Sequence, residues 1–253
     1  MALTVHQFPC LQDNYGFIIR DDASGLTACI DTPDVDAILA ALRRQSWGLD
    51  FIFNTHWHPD HAGGNAQIKA ATGAMIVGPA EVTRIAPLDR TVAGGDTVDL
   101  GDTRFEVIDS GGHTLGHITY FDAADRIAFV GDTLFALGCG RLFEGTPAQM
   151  WASLGRLAAL PDDTAVYCAH EYTASNARFA LSVDPDPGLK RRAEAVFAAR
   201  SRGEPTVPTT IALEKATNPF LRAPRLAAGL GMAGAADHEA FAKVRAAKDV
   251  FKG

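Results

Sequence analysis

The chain has 253 residues, 47% of them hydrophobic and 21% charged, with a formal net charge of −7. That length and apolar fraction build a full core, as one large domain or two, and exclude a disordered chain. The 30 acidic residues against 23 basic ones disfavour non-specific binding to nucleic acid, while a local basic pocket for a small anion stays compatible with them.

Short β-like segments open the chain, at Thr4–Phe8, Tyr15–Arg20 and Leu26–Asp31, separated by Asp-Asn and Ser-Gly turn signals. A helical pattern runs from about Val35 to Gln45, with Asp34 after Pro33 as its cap. The strand Phe51–Asn54 leads into the first histidines, and a helix over Gly64–Ala71 precedes the apolar strand Met75–Val77. Thr97–Asp109 reads as a hairpin turning at Gly101-Asp102, and strands follow at Ile118–Phe121 and Ile127–Val130. A helix near Ala148–Ala159 precedes the strand Ala165–Cys168. Beyond His170 the composition changes. Leu189–Arg200 and His238–Phe251 are rich in Ala and charge, with a Pro- and Thr-rich connector at Glu204–Thr210. The fold class is therefore α/β, sheets covered by helices over residues 1–170 and a small helical domain over 171–253.

No apolar run is long enough to span a bilayer, and the first residues lack the basic start and apolar core of an export signal. Cys10, Cys29, Cys139 and Cys168 are scattered without a CxxC pair, which predicts reduced thiols in a cytoplasm.

The chemistry concentrates in Thr55-His56-Trp57-His58-Pro59-Asp60-His61. Three imidazoles and a carboxylate share six positions, and each is a common ligand for a divalent cation. A surface histidine cluster is the bland reading, but an apolar strand before the run and glycines after it place it in a strand–loop–helix frame. Three more donors each follow a predicted strand: His113, Asp132 and His170. Singly they read as a turn histidine, a cap and a core histidine. As a set they predict two cations, because strand ends on one sheet edge converge. His56 and His58 are two apart in extended chain and so can share one ion. Asp60 and His61 lie past Pro59, where the chain turns, and face a neighbouring ion, with Asp132 the natural bridge. His117 is read as structural or as support to a ligand.

These residues resemble the ligand set of the metallo-β-lactamase superfamily. More narrowly, the chain looks like glyoxalase II, the hydroxyacylglutathione hydrolase family, over essentially its whole length. Asp13-Asn14-Tyr15, Gly131-Asp132-Thr133-Leu134-Phe135, Gly138-Cys139-Gly140-Arg141, Glu144-Gly145-Thr146, His170-Glu171-Tyr172-Thr173 and Asn218-Pro219-Phe220 carry that likeness. The resemblance implies an αββα sandwich followed by a C-terminal helical domain. It implies His56, His58 and His113 on a first metal, Asp60, His61 and His170 on a second, and Asp132 between them, with zinc favoured over iron or manganese. It implies cleavage of S-D-lactoylglutathione to glutathione and D-lactate, a step of methylglyoxal detoxification, by a monomer with no membrane or nucleic-acid partner. Glutathione-binding positions map onto Arg141, Phe143, Tyr172, Arg245 and Lys248. Arg and Lys there suit the two carboxylates of glutathione, and Arg245 and Lys248 share a predicted helix face. Phe143 departs from the family's tyrosine and removes a hydroxyl. Trp57 replaces a frequent histidine and is expected to point away from the ions.

Asp60 and Asp132 are the expected catalytic carboxylates. A water activated between two cations attacks the thioester, and a thiolate of parent pKa roughly 8.5–9 leaves without a dedicated acid. The rival within the superfamily is a one-iron dioxygenase of glutathione persulfide. A nucleic-acid processing enzyme, a β-lactamase and a metal-stabilised binding module are weaker readings, set aside on charge, the absent export signal and the excess of ligands.

Overall fold

Apolar alternation shapes the computed structural model, which describes residues 3–252. The described chain divides into two compact units, one up to Asp109 plus Gly116–Gly131, the other Ser110–Leu115 plus the chain from Asp132 onward.

The first unit contains β1 (Leu3–Cys10), β2 (Asn14–Asp21), β3 (Thr27–Ile30), α1 (Val35–Gln45), β4 (Phe51–Phe53), α2 (Pro59–Ala62), α3 (Asn65–Thr72), β5 (Met75–Gly78) and β6 (Arg90–Thr91). A four-strand meander follows: β7 (Thr97–Leu100), β8 (Thr103–Asp109), β9 (Ile118–Asp122) and β10 (Ile127–Gly131). In the first sheet β1, β2 and β3 pair antiparallel, while β3, β4, β5 and β6 pair parallel. Parallel neighbours require a crossover, and α1 and α3 supply two of them. The strands β7 to β10 pair antiparallel in chain order.

Side-chain alternation sends one face of the first sheet to the helices and the other to the meander. Ile18, Cys29 and Ile52 pack with Ile38, Leu42 and Ile68 of α1 and α3. One residue along, Phe17 meets Phe129 at 5.8 Å, and Phe53 meets Phe105 at 6.0 Å and Tyr120 at 5.4 Å. Strands buried on both faces read as continuous apolar runs, which is why Phe51-Ile52-Phe53 shows no alternation. The Asp34 carboxylate caps α1 by accepting from the Ala37 N–H at 3.0 Å.

The second unit contains β11 (Leu134–Phe135), β12 (Gly138–Cys139), α4 (Pro147–Ala158), β13 (Ala165–Cys168), α5 (Thr173–Val183), α6 (Pro187–Ser201), β14 (Thr209–Thr210), α7 (Ile211–Thr217), α8 (Ala223–Leu226) and α9 (Asp237–Val250). β11 and β12 form a hairpin, and β13 pairs antiparallel with β14. Small residues, Ala177, Ala180 and Ala193, let α5 and α6 approach around Leu137, Leu189 and Val196. An aromatic column of Phe179, Phe220, Phe241 and Trp151 ties α5, α9 and α4 together.

A buried acid pins this unit. Glu214 accepts from Arg192, from the Thr209 hydroxyl, from the Leu137 N–H at 2.9 Å and from Asn218 at 2.9 Å. Asn218 also donates to the carbonyls of Phe135 and Gly138, so the Asn-Pro-Phe segment holds the β11–β12 hairpin that directly follows Asp132.

The predicted strands and long helices lie within a few residues of those observed. The sequence reading omitted α5, the one-turn α2, α7 and α8, and the two-residue strands.

Candidate metal centre

Each unit presents its own group of ligands. In the first, β4 ends at Phe53 and the chain bends at Thr55 before His58, which caps α2; Pro59 begins that turn, where Asp60 and His61 sit. Pro is favoured at a first helical position because its fixed φ suits the turn and its missing N–H costs nothing there. His56 and His61 are fully buried, with ring centroids 4.0 Å apart.

Hydrogen-bond partners assign the tautomers. The Asp31 carboxylate accepts from His61 Nδ1 at 2.8 Å and from the Thr55 N–H and hydroxyl, each at 2.8 Å. With its proton donated to Asp31, the Thr55 hydroxyl accepts from His56 Nδ1 at 3.0 Å. Both imidazoles therefore carry hydrogen on Nδ1 and a lone pair on Nε2, the form a cation takes. His56 Nε2 stands 3.0 Å from His58 Nδ1, and His61 Nε2 stands 3.5 Å from Asp60 Oδ2. Asn14 steadies Asp60 by donating to Oδ2 at 3.2 Å.

Asp31, His56 and His61 also offer one ligand atom each within 4.8 Å of one another. Asp31 already accepts three hydrogen bonds, so it orients ligands rather than serving as one. It directly follows β3 in the left-handed region at φ 57, which Asp tolerates better than most residues. The sequence reading did not single it out; an acid closing the apolar strand Ala28-Cys29-Ile30 was the available signal. His117 is buried and stacks on His56 at 4.7 Å, a packing support for that ring. The Trp57 ring meets His58 edge-on at 4.9 Å and lies beneath the Arg84 guanidinium at 5.0 Å. Gly131 has φ 48, and a Cβ on it would stand 2.6 Å from Thr55 Oγ1 and 2.7 Å from His117 Nε2.

In the second unit, Asp132 turns one oxygen to each of two imidazoles: Oδ2 lies 3.4 Å from His113 Nε2 and Oδ1 lies 3.4 Å from His170 Nε2. All three residues are buried. His113 Nδ1 donates to the Arg141 carbonyl at 2.8 Å, so its Nε2 is again the lone-pair nitrogen. A Cβ on Gly140 would stand 2.0 Å from the Asp132 carbonyl oxygen, which explains glycine after Cys139. Neutral imidazole lone pairs and carboxylates, buried and oriented from behind by carboxylate, hydroxyl and carbonyl, fit divalent cations. Without a cation, such donors forgo the solvation they had in water.

The substrate-site expectations divide in two. Arg141, Arg245 and Lys248 lie near one another, whereas Phe143 and Tyr172 lie against ligand imidazoles. Phe143 is exposed with its ring 5.2 Å from His113, and Tyr172 stacks parallel to His170 at 4.7 Å. Arg245 is buried, donates to the Cys139 carbonyl at 3.0 Å and covers Phe220 at 5.0 Å. Lys248 donates to the Ser175 carbonyl at 3.3 Å and hydroxyl at 3.1 Å, close to the rings of Phe179 and Phe251. Burial, then the charges of Arg245, Arg141 and Arg178, pull the Lys248 ammonium down to about 8. A cation held among cations is poised for an anion.

Comparison with known proteins agrees with this chemistry. The metallo-beta-lactamase superfamily model matches residues 23–170, and the model for the hydroxyacylglutathione hydrolase C-terminus matches residues 171–251. The chain is 58% identical over 253 residues to the hydroxyacylglutathione hydrolase of Maricaulis maris, covering 98% of this chain and 99% of that one. It is 56% identical over 252 residues to that of Erythrobacter litoralis, covering 98% and 100%. Among solved structures it resembles ETHE1 from Myxococcus xanthus with a TM-score of 0.72 at 25% identity, covering 98% of this chain and 92% of that one.

Proposed function

The chain belongs to the hydroxyacylglutathione hydrolase family, with the metallo-β-lactamase fold and a helical C-terminal region, and we infer from that membership that it hydrolyses S-D-lactoylglutathione to glutathione and D-lactate. Its histidine and aspartate clusters hold divalent metal ions. We propose two per chain, zinc in preference to iron or manganese, with His56, His58 and His113 on the first, Asp60, His61 and His170 on the second, and Asp132 bridging. The observation that carries this assignment is the Asp132 carboxylate, each oxygen turned at 3.4 Å to a different imidazole. We further propose residues 1–170 as the catalytic domain and 171–253 as the substrate-binding domain of a cytoplasmic monomer. The abutting family matches at 170 and 171 support that division. Among the described residues no helix is long and apolar enough to cross a membrane.

When bound, the cations supply Lewis acidity, lowering the pKa of a water and polarising a thioester carbonyl. Asp60 and Asp132 would hold the cations and offset their positive charge. Asp31 and Thr55 keep His61 and His56 in the tautomer that leaves Nε2 unprotonated. Arg141, Arg245 and Lys248 supply positive charge for the glutathione carboxylates. The glutathione thiolate departs as a stable anion, so no protein acid is required to protonate it.

A steady-state assay following loss of thioester absorbance, paired with elemental analysis, tests this reading. It requires turnover of S-D-lactoylglutathione with two divalent ions per chain. Oxygen uptake on glutathione persulfide with a single iron, and no thioester cleavage, would replace it with the dioxygenase reading.

A further inference from the structure

The carboxylate of Asp249 has an unusual position. It lies in the last turn of α9, where the helix dipole disfavours an acid, and its side chain is 42% exposed. It does not point into bulk solvent alone. Its Oδ1 accepts from Arg245 Nε at 3.1 Å and Nη2 at 2.8 Å, and stands 4.0 Å from Arg141 Nε. One oxygen thus sits at the focus of two guanidinium groups. Arg245 cannot swing away, because its Nη1 is tied to the Cys139 carbonyl at 3.0 Å and its plane covers Phe220. Arg141 is free of that restraint, with a side chain 67% exposed. Lys248 is adjacent in sequence, and Arg178 adds a fourth positive charge to its surroundings.

Charge-assisted contacts of this kind are the ones a carboxylate of glutathione would make with the same side chains under the proposed function. We propose that Asp249 is a resident stand-in for the substrate's carboxylate, seated between Arg245 and Arg141 until a glutathione carboxylate displaces it. The inference rests on the glutathione-thioester reading above. Asp249 thereby keeps the cation cluster assembled in the free protein and competes with the ligand for it. No bond is made or broken; one ion pair is exchanged for another.

The exchange predicts an effect opposite in sign to that of an ordinary binding residue. Asp249→Asn keeps the shape and removes the competing charge. In the metal-loaded protein at pH 7, calorimetry with glutathione then gives a dissociation constant about two- to fivefold lower, the scale of one partly exposed ion pair. KM for the thioester falls in parallel and kcat is unchanged. Glutathione with both carboxylates esterified binds wild type and variant equally. Because Asp249 also raises the pKa of Lys248, the variant's affinity declines at lower pH than the wild type's. Asp249→Glu, which retains a carboxylate, stays near the wild-type value. Unchanged or weaker binding by a folded Asp249→Asn, or an equal gain for the diester, overturns the proposal. A wild type that cleaves no glutathione thioester overturns the reading beneath it as well.

Discussion

Asp31 shows how much of this site lies behind the ligands. Its carboxylate reaches His61 directly and His56 through Thr55, fixing two lone-pair nitrogens with one buried charge. Replacing it with Asn removes the acceptor that holds the His61 proton, and the expected cost is about 10- to 100-fold in metal affinity, measured by competition with a calibrated chelator. Asp132→Ala is expected to lose at least one ion and most of kcat; near-normal turnover with two bound ions excludes the bridge. The Lys248 ammonium, pulled down to about 8 by burial and by neighbouring guanidinium groups, titrates closer to neutrality than an ordinary lysine. Its pKa lies below the ordinary lysine value, so the ammonium is complete below about 8 and is lost above it. KM for the anionic thioester therefore rises through that window, and a bound carboxylate shifts the rise to higher pH. Lys248→Met flattens the profile and raises KM at pH 7 by about tenfold, the worth of one charge-assisted hydrogen bond. A profile that keeps its shape in the variant assigns the titration elsewhere.

At the scale of the element, what could be read from the sequence depended on how local its causes were. Asp34 and the apolar spacing of α1 announce that helix within a few residues. The donors His113, Asp132 and His170 were readable because each follows an apolar strand. α5 was not readable. Its first turn is Thr173-Ala174-Ser175-Asn176, and Asn176 is buried because it donates to the Ala136 carbonyl at 3.1 Å, a partner forty residues away in sequence. The strands β11, β12 and β14 have two residues each and carry no periodicity at all. Asp31 was missed for the same reason: its partners are distant, and a strand-ending acid has no spacing signature. The hairpin after Asp132 depends on Glu214 and Asn218. Glu214→Ala leaves Arg192 without its buried acid, and removal of one partner of such a pair costs about 3–5 kcal/mol. A denaturant midpoint reads that loss. Activity falls with it, since the hairpin loses its anchor; full stability in the variant would show the network to be dispensable.

Across the whole molecule, net charge and local charge have opposite signs. The chain is acidic at −7, yet Arg141 and Arg245 flank one carboxylate, and Arg141, Arg178 and Arg245 all act on the nearby Lys248 ammonium. Under the proposed function, this local cluster would favour a small anionic ligand despite the acidic chain as a whole. In the second unit His113, Asp132 and His170 come from separate chain segments, so a cation held there would stabilise only the folded chain. Stripping them is expected to lower the unfolding temperature as well as abolish turnover. The most direct measurement is a titration of metal-stripped protein with divalent zinc, reading bound ion and S-D-lactoylglutathione cleavage together. Turnover should return in step with binding and reach its full value at two ions per chain. Cleavage by the stripped protein, or full cleavage with a single ion bound, would contradict it.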